Sequence, residues 1–231
     1  MEKRLKNKYI SFIFWNLLPL LILFFLYLFK EYRETSFRKF ITEDGPLEYL
    51  QFFLYFLSFL GSLFISLQYF KNKTKETYVY VLFFILSLLF FFIAFEEISW
   101  GQRILVYDTP QSITERNAQG ELPIHNLEPL QLKMHYLYIL IGFYGSFCPI
   151  LCKTFLKKYY DELKIFFPPK EIFMLFFLAI PFWILASYYP APISFLSGTE
   201  VIYYQWQEVF ETFLAIGFFT YICNVIRIIK D

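Results

Sequence analysis

The sequence predicts an all-α, polytopic membrane protein built as a six-helix transmembrane bundle. Hydrophobic residues make up 58% of its 231 residues and aromatic residues 24%, whereas soluble domains are only about 45–50% apolar. Several apolar stretches also reach the roughly 20 residues that a helix needs to cross a hydrocarbon core about 30 Å thick. We therefore expect a single transmembrane domain over residues 1–231.

Six apolar stretches have this length, and charged or turn-forming residues separate them. The basic N-terminus resembles the start of a signal peptide, but the apolar run behind it is too long and no small-residue cleavage site follows, so we expect an uncleaved first span. Gly45, Pro46 and Glu48 stand in the usual order for a helix start before the second span. Pro181 predicts a kink in the fifth. The predicted spans are at about residues 9–29, 47–70, 78–95, 135–155, 172–189 and 207–229.

The distribution of charge predicts the orientation in the membrane. Six spans place both termini on one side, and 14 of the 21 Lys and Arg residues fall on that side. By the positive-inside rule, the N- and C-termini are therefore cytoplasmic. The opposite face collects 14 of the 20 acids and a loop of about thirty residues after the third span, a length typical of functional or disordered loops.

Two adjacent acids, Glu96 and Glu97, stand where the third apolar helix ends. Charged groups cost roughly 2.5–3.5 kcal/mol at mid-bilayer and less toward the interface, and a helix C-terminus already carries partial negative charge. If the helix continues, Glu96, Trp100 and Arg103 share one face. In one interpretation the acids bind a metal or act as a general base while Arg103 holds a phosphate or carboxylate. In the other, Arg103 forms a structural ion pair with one acid.

Further polar groups are expected at the same membrane face. Glu48, Glu208 and Glu211 begin the second and sixth spans, where the helix dipole stabilises acids without any function, so capping is an alternative explanation for them. His125 lies in the long loop, either as a solvated residue or as a proton shuttle or nitrogen ligand over the acids.

The predicted donor set is compatible with a divalent metal. Carboxylate-rich sites suit Mg²⁺, Mn²⁺, Ca²⁺ or iron, and a zinc site of mixed histidine and carboxylate ligands is also possible. Because the chain has only two histidines, it cannot form a three-histidine zinc site. The predicted catalytic residues are Glu96, Glu97, His125 and Arg103. The predicted metal ligands are Glu48, Glu97, His125, Glu208 and Glu211.

Several stretches together resemble a family of uncharacterised multi-pass bacterial inner-membrane proteins. The most specific is Glu-Glu-Ile-Ser-Trp-Gly-Gln-Arg at residues 96–103, and the others are residues 43–48, 117–121 with 125–126, and 208–211. The resemblance covers about residues 40 to 215 and implies a bacterial inner membrane location, but no activity. Alkaline-ceramidase-like membrane hydrolases have a histidine pair on a late helix where this chain has glutamates, so we do not assign it to them.

These observations predict a membrane protein with an acidic site, containing histidine and carboxylates, at its periplasmic face. The leading hypothesis is a metal-assisted membrane enzyme that acts on a lipid-linked or amphipathic substrate. A cation- or proton-coupled transporter is the alternative, although an inverted repeat and mid-membrane ionisable residues, common in transporters, are missing. The third is an assembly or scaffold subunit that binds a basic protein partner. Membrane lipid is the expected partner, and no basic tract indicates nucleic acid.

Overall fold

The computed structural model describes residues 2–41, 45–71, 77–105, 107, 109–110, 128–188 and 200–230. Every regular element in these ranges is a helix. The α-helices are α1 (Glu2–Tyr32), α2 (Glu34–Ile41), α3 (Pro46–Lys71), α4 (Thr77–Glu97), α5 (Gln102–Leu105), α6 (Glu128–Ser146), α7 (Cys148–Phe155), α8 (Tyr160–Leu163), α9 (Phe173–Phe177), α10 (Ala179–Tyr188) and α11 (Glu200–Lys230). Short 3₁₀ helices cover Ser99–Gly101, Lys157–Tyr159, Lys164–Phe166 and Lys170–Ile172.

The described residues contain four to six segments able to cross a membrane. Four are long and apolar enough to do so by themselves, at Ile10–Tyr32, Glu34–Lys71, Thr77–Glu97 and Trp206–Lys230. Two bent helix pairs, Lys133–Ser146 with Cys148–Phe155 and Lys157–Phe166 with Lys170–Leu185, add a fifth and a sixth if each pair crosses as one span. The all-α, multi-pass membrane class is therefore confirmed, and the helix α3 begins at Pro46, the predicted first helical residue.

Prolines explain where the two pairs bend. The first pair bends by 44°, and Pro149 is the second residue of the helix that follows the bend. Proline has no N–H, and its ring crowds the carbonyl four residues earlier, so α6 cannot continue through it. The second pair bends by 64° at the break that holds Pro168 and Pro169. The chain also leaves the helix at Leu178, between α9 and α10 and three residues before Pro181, the predicted kink.

The chain forms two compact units. Unit 1 comprises Met1–Leu47 and Tyr136–Gly217, and unit 2 comprises Glu48–His135 and Phe218–Asp231. The first part of α11 belongs to unit 1 and its last part to unit 2. The expectation of a single domain stays a prediction.

Phe176 is one of the large side chains buried in unit 1. It is completely buried and lies against Gly142 and Gly145 of α6 and Gly217 of α11. A Cβ atom at Gly145 would lie 2.1 Å from Phe176 Cγ, and one at Gly217 would lie 2.8 Å from Cε2. Small residues allow this close approach, which drives helix association in lipid where the hydrophobic effect does not. Phe176 thus joins α6, α9 and α11.

Asn16 of α1 holds the second bent segment in unit 1. Its Nδ2 donates hydrogen bonds to the carbonyls of Phe12, at 2.7 Å, and Glu171, at 2.8 Å, and its Oδ1 accepts one from the Met174 N–H at 3.1 Å. The first N–H groups of a helix lack partners within it, and lipid supplies none. Asn16 therefore caps α9 from a neighbouring helix.

In unit 2, α3 and α4 run antiparallel. The ring centroids of Phe52 and Phe95 are 6.0 Å apart, and Ser66 Oγ donates a hydrogen bond of 2.9 Å to the Tyr80 carbonyl. Early residues of α3 therefore meet late residues of α4. The last part of α11 packs on α3, where a Cβ atom at Gly61 would lie 2.5 Å from an isoleucine side chain.

Gly145→Ala is expected to lower the stability by about 1–3 kcal/mol, because the added methyl group overpacks against the immobile ring of Phe176. The measurement is the thermal unfolding midpoint of the detergent-solubilised protein. The control is Leu140→Ala on the same helix, where the side chain is 64% exposed and a surface change should have little effect. Equal midpoints for Gly145→Ala and wild type would contradict this packing.

Candidate functional site

The stretch after α4 is a left-handed turn with two strained residues. α4 ends at Glu97, and Ser99, Trp100 and Gly101 have φ angles of 49°, 54° and 75°. Glycine adopts this region freely, whereas other L-residues incur about 1–2 kcal/mol each. A hydrogen bond of 2.8 Å from the Gly101 N–H to the Ile98 carbonyl helps to close the turn. Consecutive strained residues persist only where the surroundings hold them, and such strain concentrates at functional sites.

The turn folds Trp100 back over the last turns of α4. Its Nε1 donates a hydrogen bond of 2.5 Å to Glu96 Oε1, and its ring centroid lies 5.6 Å from that of Phe92 and 5.8 Å from that of Phe95. Glu96 is only 4% exposed. Burying a carboxylate is costly unless it is hydrogen-bonded, and Trp100 supplies such a bond. The turn therefore keeps a buried acid and its donor together.

The segment that follows braces this arrangement. Tyr107 Oη donates a hydrogen bond of 3.1 Å to the Trp100 carbonyl, and the Tyr107 N–H donates one of 3.3 Å to the Gln102 carbonyl. Gln102 Nε2 in turn donates to Thr109 Oγ1 at 2.5 Å. The strained turn is thus fixed from both α4 and the chain beyond it.

The predicted helical face shared by Glu96, Trp100 and Arg103 is wrong. α4 ends before Trp100, and the chain changes hand at Ser99, so the helical spacing does not apply. Trp100 nevertheless meets Glu96 through its indole. Arg103 lies in α5, but its side chain lies outside the described part of the structure, as does all of His125. Their predicted roles therefore stay predictions.

Two more acids share the Glu96 end of unit 2. Glu97 is the last residue of α4, and Glu48 lies in the first turn of α3; both are half-buried. Because α3 and α4 are antiparallel, the start of one lies beside the end of the other. Gln51, one turn after Glu48, is completely buried at the same end. The dipole of α3 accounts for Glu48 but not for the pair at the end of α4.

Unit 1 contains the other two predicted acids, and their capping explanation is wrong. The helix α11 begins at Glu200, so Glu208 and Glu211 lie more than two turns inside it, whereas the dipole effect falls off within the first turn. They are 8% and 7% exposed, and Thr212 Oγ1 donates a hydrogen bond of 2.7 Å to the Glu208 carbonyl. These two buried acids, in the first two turns of the candidate span Trp206–Lys230, therefore lack a capping explanation.

The described residues show no cluster of the usual metal-binding side chains. Within them, no three His, Cys, Asp or Glu side chains are grouped so that they could hold a metal ion. His125, the predicted nitrogen ligand, lies outside these residues, so the metal assignment stays a prediction.

Comparisons of this chain with protein-family models, with curated proteins and with solved structures found no match. Its function must therefore be inferred from its own geometry.

Three features of these sites differ from, or are absent from, the predictions. They are the strain at Ser99 and Trp100, the complete burial of Gln51, and the depth of the acids inside α11. Gly101 signalled a left-handed residue near a helix end, but nothing indicated that the two residues before it would share that conformation. Gln51 lies one turn from Glu48, and this spacing could have identified it.

Trp100→Phe is expected to lower the free energy of unfolding by about 1.5–3 kcal/mol, because it removes a hydrogen bond to a charged group and keeps an aromatic ring. In the Glu96→Gln background the same change should lose only about 0.5–1.5 kcal/mol, because the bond to a neutral amide is weaker. Denaturant unfolding of the four proteins measures the difference.

The matched control is Trp15→Phe in α1, which should have the same effect in both backgrounds. If Trp100→Phe also had the same effect in both, the bond between Trp100 and Glu96 would not contribute to stability.

Proposed function

We propose that this protein is a six-span bacterial inner-membrane enzyme that acts on a lipid-linked or amphipathic substrate, with Glu96 as its acid–base residue. The observation that carries the proposal is the strained turn that holds the Trp100 indole against the buried Glu96 carboxylate. With both termini cytoplasmic, as the charge distribution predicts, this end of unit 2 faces the periplasm.

The setting of Glu96 suits proton transfer. A carboxyl group can take a proton from one substrate atom and return it to another. Such a group works best when its orientation is fixed by its neighbours, and Trp100 Nε1 fixes one oxygen of Glu96 while Phe92 and Phe95 hold the indole ring. The low exposure of Glu96 also limits competition from bulk water, which strengthens its interactions with a bound substrate.

The apolar surface leading to Glu96 favours a lipid-like substrate. On α4, Leu88, Leu89 and Phe92 are 52%, 52% and 39% exposed, and in a membrane-spanning helix such side chains contact acyl chains. A substrate whose chains lie along this surface would bring its polar head to the end of α4. Glu97 and Glu48 are the nearby polar groups for that head, Arg103 is the proposed clamp for a phosphate or carboxylate, and His125 is the proposed proton shuttle.

The test is conversion of lipids by the purified protein. Wild-type protein in nanodiscs, incubated with a bacterial total lipid extract and followed by untargeted mass spectrometry, should deplete one lipid class and produce another. Glu96→Gln should abolish this conversion, because an amide cannot accept and return the proton. Glu162→Gln is the matched control, because Glu162 is an exposed acid in α8 and its amide variant should retain full activity.

A lipid profile that wild type leaves unchanged, or that Glu96→Gln changes equally fast, would overturn the proposed function.

Metal analysis of wild type beside Glu97→Gln distinguishes a metal-assisted mechanism from a metal-free one. Metal present in wild type and lost in the variant identifies a metal-assisted enzyme. Without bound metal in either protein, the reaction is metal-free.

A cation- or proton-coupled transporter is the second candidate, and a specific observation favours it. Glu208 and Glu211 are buried in the first two turns of the candidate span Trp206–Lys230, and ionisable groups within membrane spans mark ion and proton pathways. They lie three residues apart on α11, so both project toward the same side of the helix. A bound cation or a shared proton would relieve the repulsion between two carboxylates so placed.

If transport is the function, proteoliposomes with a pH-sensitive dye inside should show proton or Na⁺-coupled proton flux above that of protein-free vesicles. The double variant Glu208→Gln, Glu211→Gln should reduce that flux to the protein-free level. Glu162→Gln again serves as control. Wild-type flux no greater than that of empty vesicles would remove this candidate.

A further inference from the structure

One face of α3 in unit 2 is polar and buried along most of the helix. Its residues recur every three or four positions, which places them on one side of the helix, and none is more than 5% exposed. The residues are Gln51, Tyr55, Ser58, Ser62 and Ser66, called the polar track below. With a rise of 1.5 Å per residue, the track is about 22 Å long. It therefore covers most of a hydrocarbon core about 30 Å thick.

The antiparallel pairing of α3 and α4 places one end of the polar track beside the candidate site. Gln51 precedes Phe52 in the sequence, and the ring of Phe52 contacts that of Phe95. Phe95 in turn precedes Glu96. The other end, at Ser66, is bonded to the Tyr80 carbonyl in the first turn of α4. The track thus runs from the level of Glu96 to the opposite end of unit 2.

Ser62 differs from the other serines in this part of unit 2. Ser58 Oγ donates a hydrogen bond of 2.7 Å to the Leu54 carbonyl, and Ser87 of α4 donates one of 2.7 Å to the Phe84 carbonyl. The Ser62 hydroxyl is completely buried, yet it has no hydrogen-bond partner among the described residues. An unsatisfied buried hydroxyl costs about 1–3 kcal/mol.

Close packing of helices does not explain this serine. Small residues do allow transmembrane helices to approach, but alanine would serve as well and would leave no hydroxyl unsatisfied. Buried polar groups without a protein partner usually bond to ordered water. The hydroxyl of Ser62 lies midway between those of Ser58 and Ser66 on the same face, so water bonded to it would be within the polar track.

We propose that the polar track binds a file of water molecules, anchored in its middle by Ser62, and that this file carries protons between Glu96 and the opposite end of unit 2. Along such a file each oxygen accepts one proton and passes another on, so no covalent product forms and no further reactant is consumed. The binding of water depends on unit 2 alone. Delivery of protons to Glu96 rests on the proposed function.

The test asks whether a small water-borne ion reaches position 62. The three native cysteines, Cys148, Cys152 and Cys223, carry free thiols, so they are first replaced by alanine. Ser62→Cys is then reconstituted in liposomes and exposed to Ag⁺, and the thiols that remain are counted with a maleimide after denaturation. The matched controls are Leu60→Cys and Phe64→Cys, whose native side chains are 45% and 39% exposed on the outer side of α3.

Ser62→Cys should lose its thiol at least about tenfold faster than either control, because an ion crosses water readily and lipid only at high cost. A rate no faster than that of the controls would overturn the proposal and leave dry helix packing. Ser58→Cys, one turn earlier on the same track, is judged by the same criterion if the first variant does not fold. The labelling needs no enzyme activity, so it is independent of the proposed function. If Ag⁺ reacts rapidly with Ser62→Cys while Glu96→Gln has no effect on lipid conversion, the water file stands and the proposed function is overturned.

Discussion

At membrane depth every backbone N–H and C=O must find its partner inside the protein, because lipid offers none. The long helices α1, α3, α4 and α11 meet this requirement within themselves. If the second bent pair crosses as one span, the break between Phe166 and Lys170 has the same need, and side chains of neighbouring helices meet it. Asn16 caps α9, and Tyr144 Oη donates a hydrogen bond to the Phe166 carbonyl. These side chains allow unit 1 to contain broken helices without unpaired backbone groups at those positions.

The turn after α4 also depends on side-chain contacts, which offset its backbone strain. Two non-glycine residues with positive φ cost about 2–4 kcal/mol together at the usual penalty. A hydrogen bond to a charged group contributes about 1.5–3 kcal/mol, and aromatic pairs contribute about 0.5–1.5 kcal/mol each. The contacts that Trp100 makes with Glu96, Phe92 and Phe95 are therefore of the right size to offset the strain. A turn of this kind without such contacts would relax, so the strain and the buried acid depend on each other.

The sequence was sufficient for the helical membrane class and for the start of α3, because apolar length and the order Gly45, Pro46, Glu48 are local signals. It could not predict where a helix begins or ends when contacts with distant residues determine that position. The end of α4 depends on a bond from Trp100 to a residue four positions earlier, made through a left-handed turn that no spacing rule anticipates. The candidate span Trp206–Lys230 agrees with the predicted sixth span, but the helix α11 that carries it begins earlier, at Glu200. Glu208 and Glu211 are therefore not in the first turn of their helix.

The polar residues of α3 can be weighed against what close packing requires. Gly61 already brings α3 against α11, where a Cβ atom would lie 2.5 Å from Ile222 Cγ2, so close approach on that side does not depend on the serines. Serines that bond back to their own helix add little to its stability and compete with its backbone bonds. Ser62 lacks even that bond among the described residues, so in a dry interface it would only destabilise the fold. Water bonded to Ser62 removes this penalty, and a hydrated face that ends level with Glu96 gives a buried acid a route for protons that lipid cannot provide.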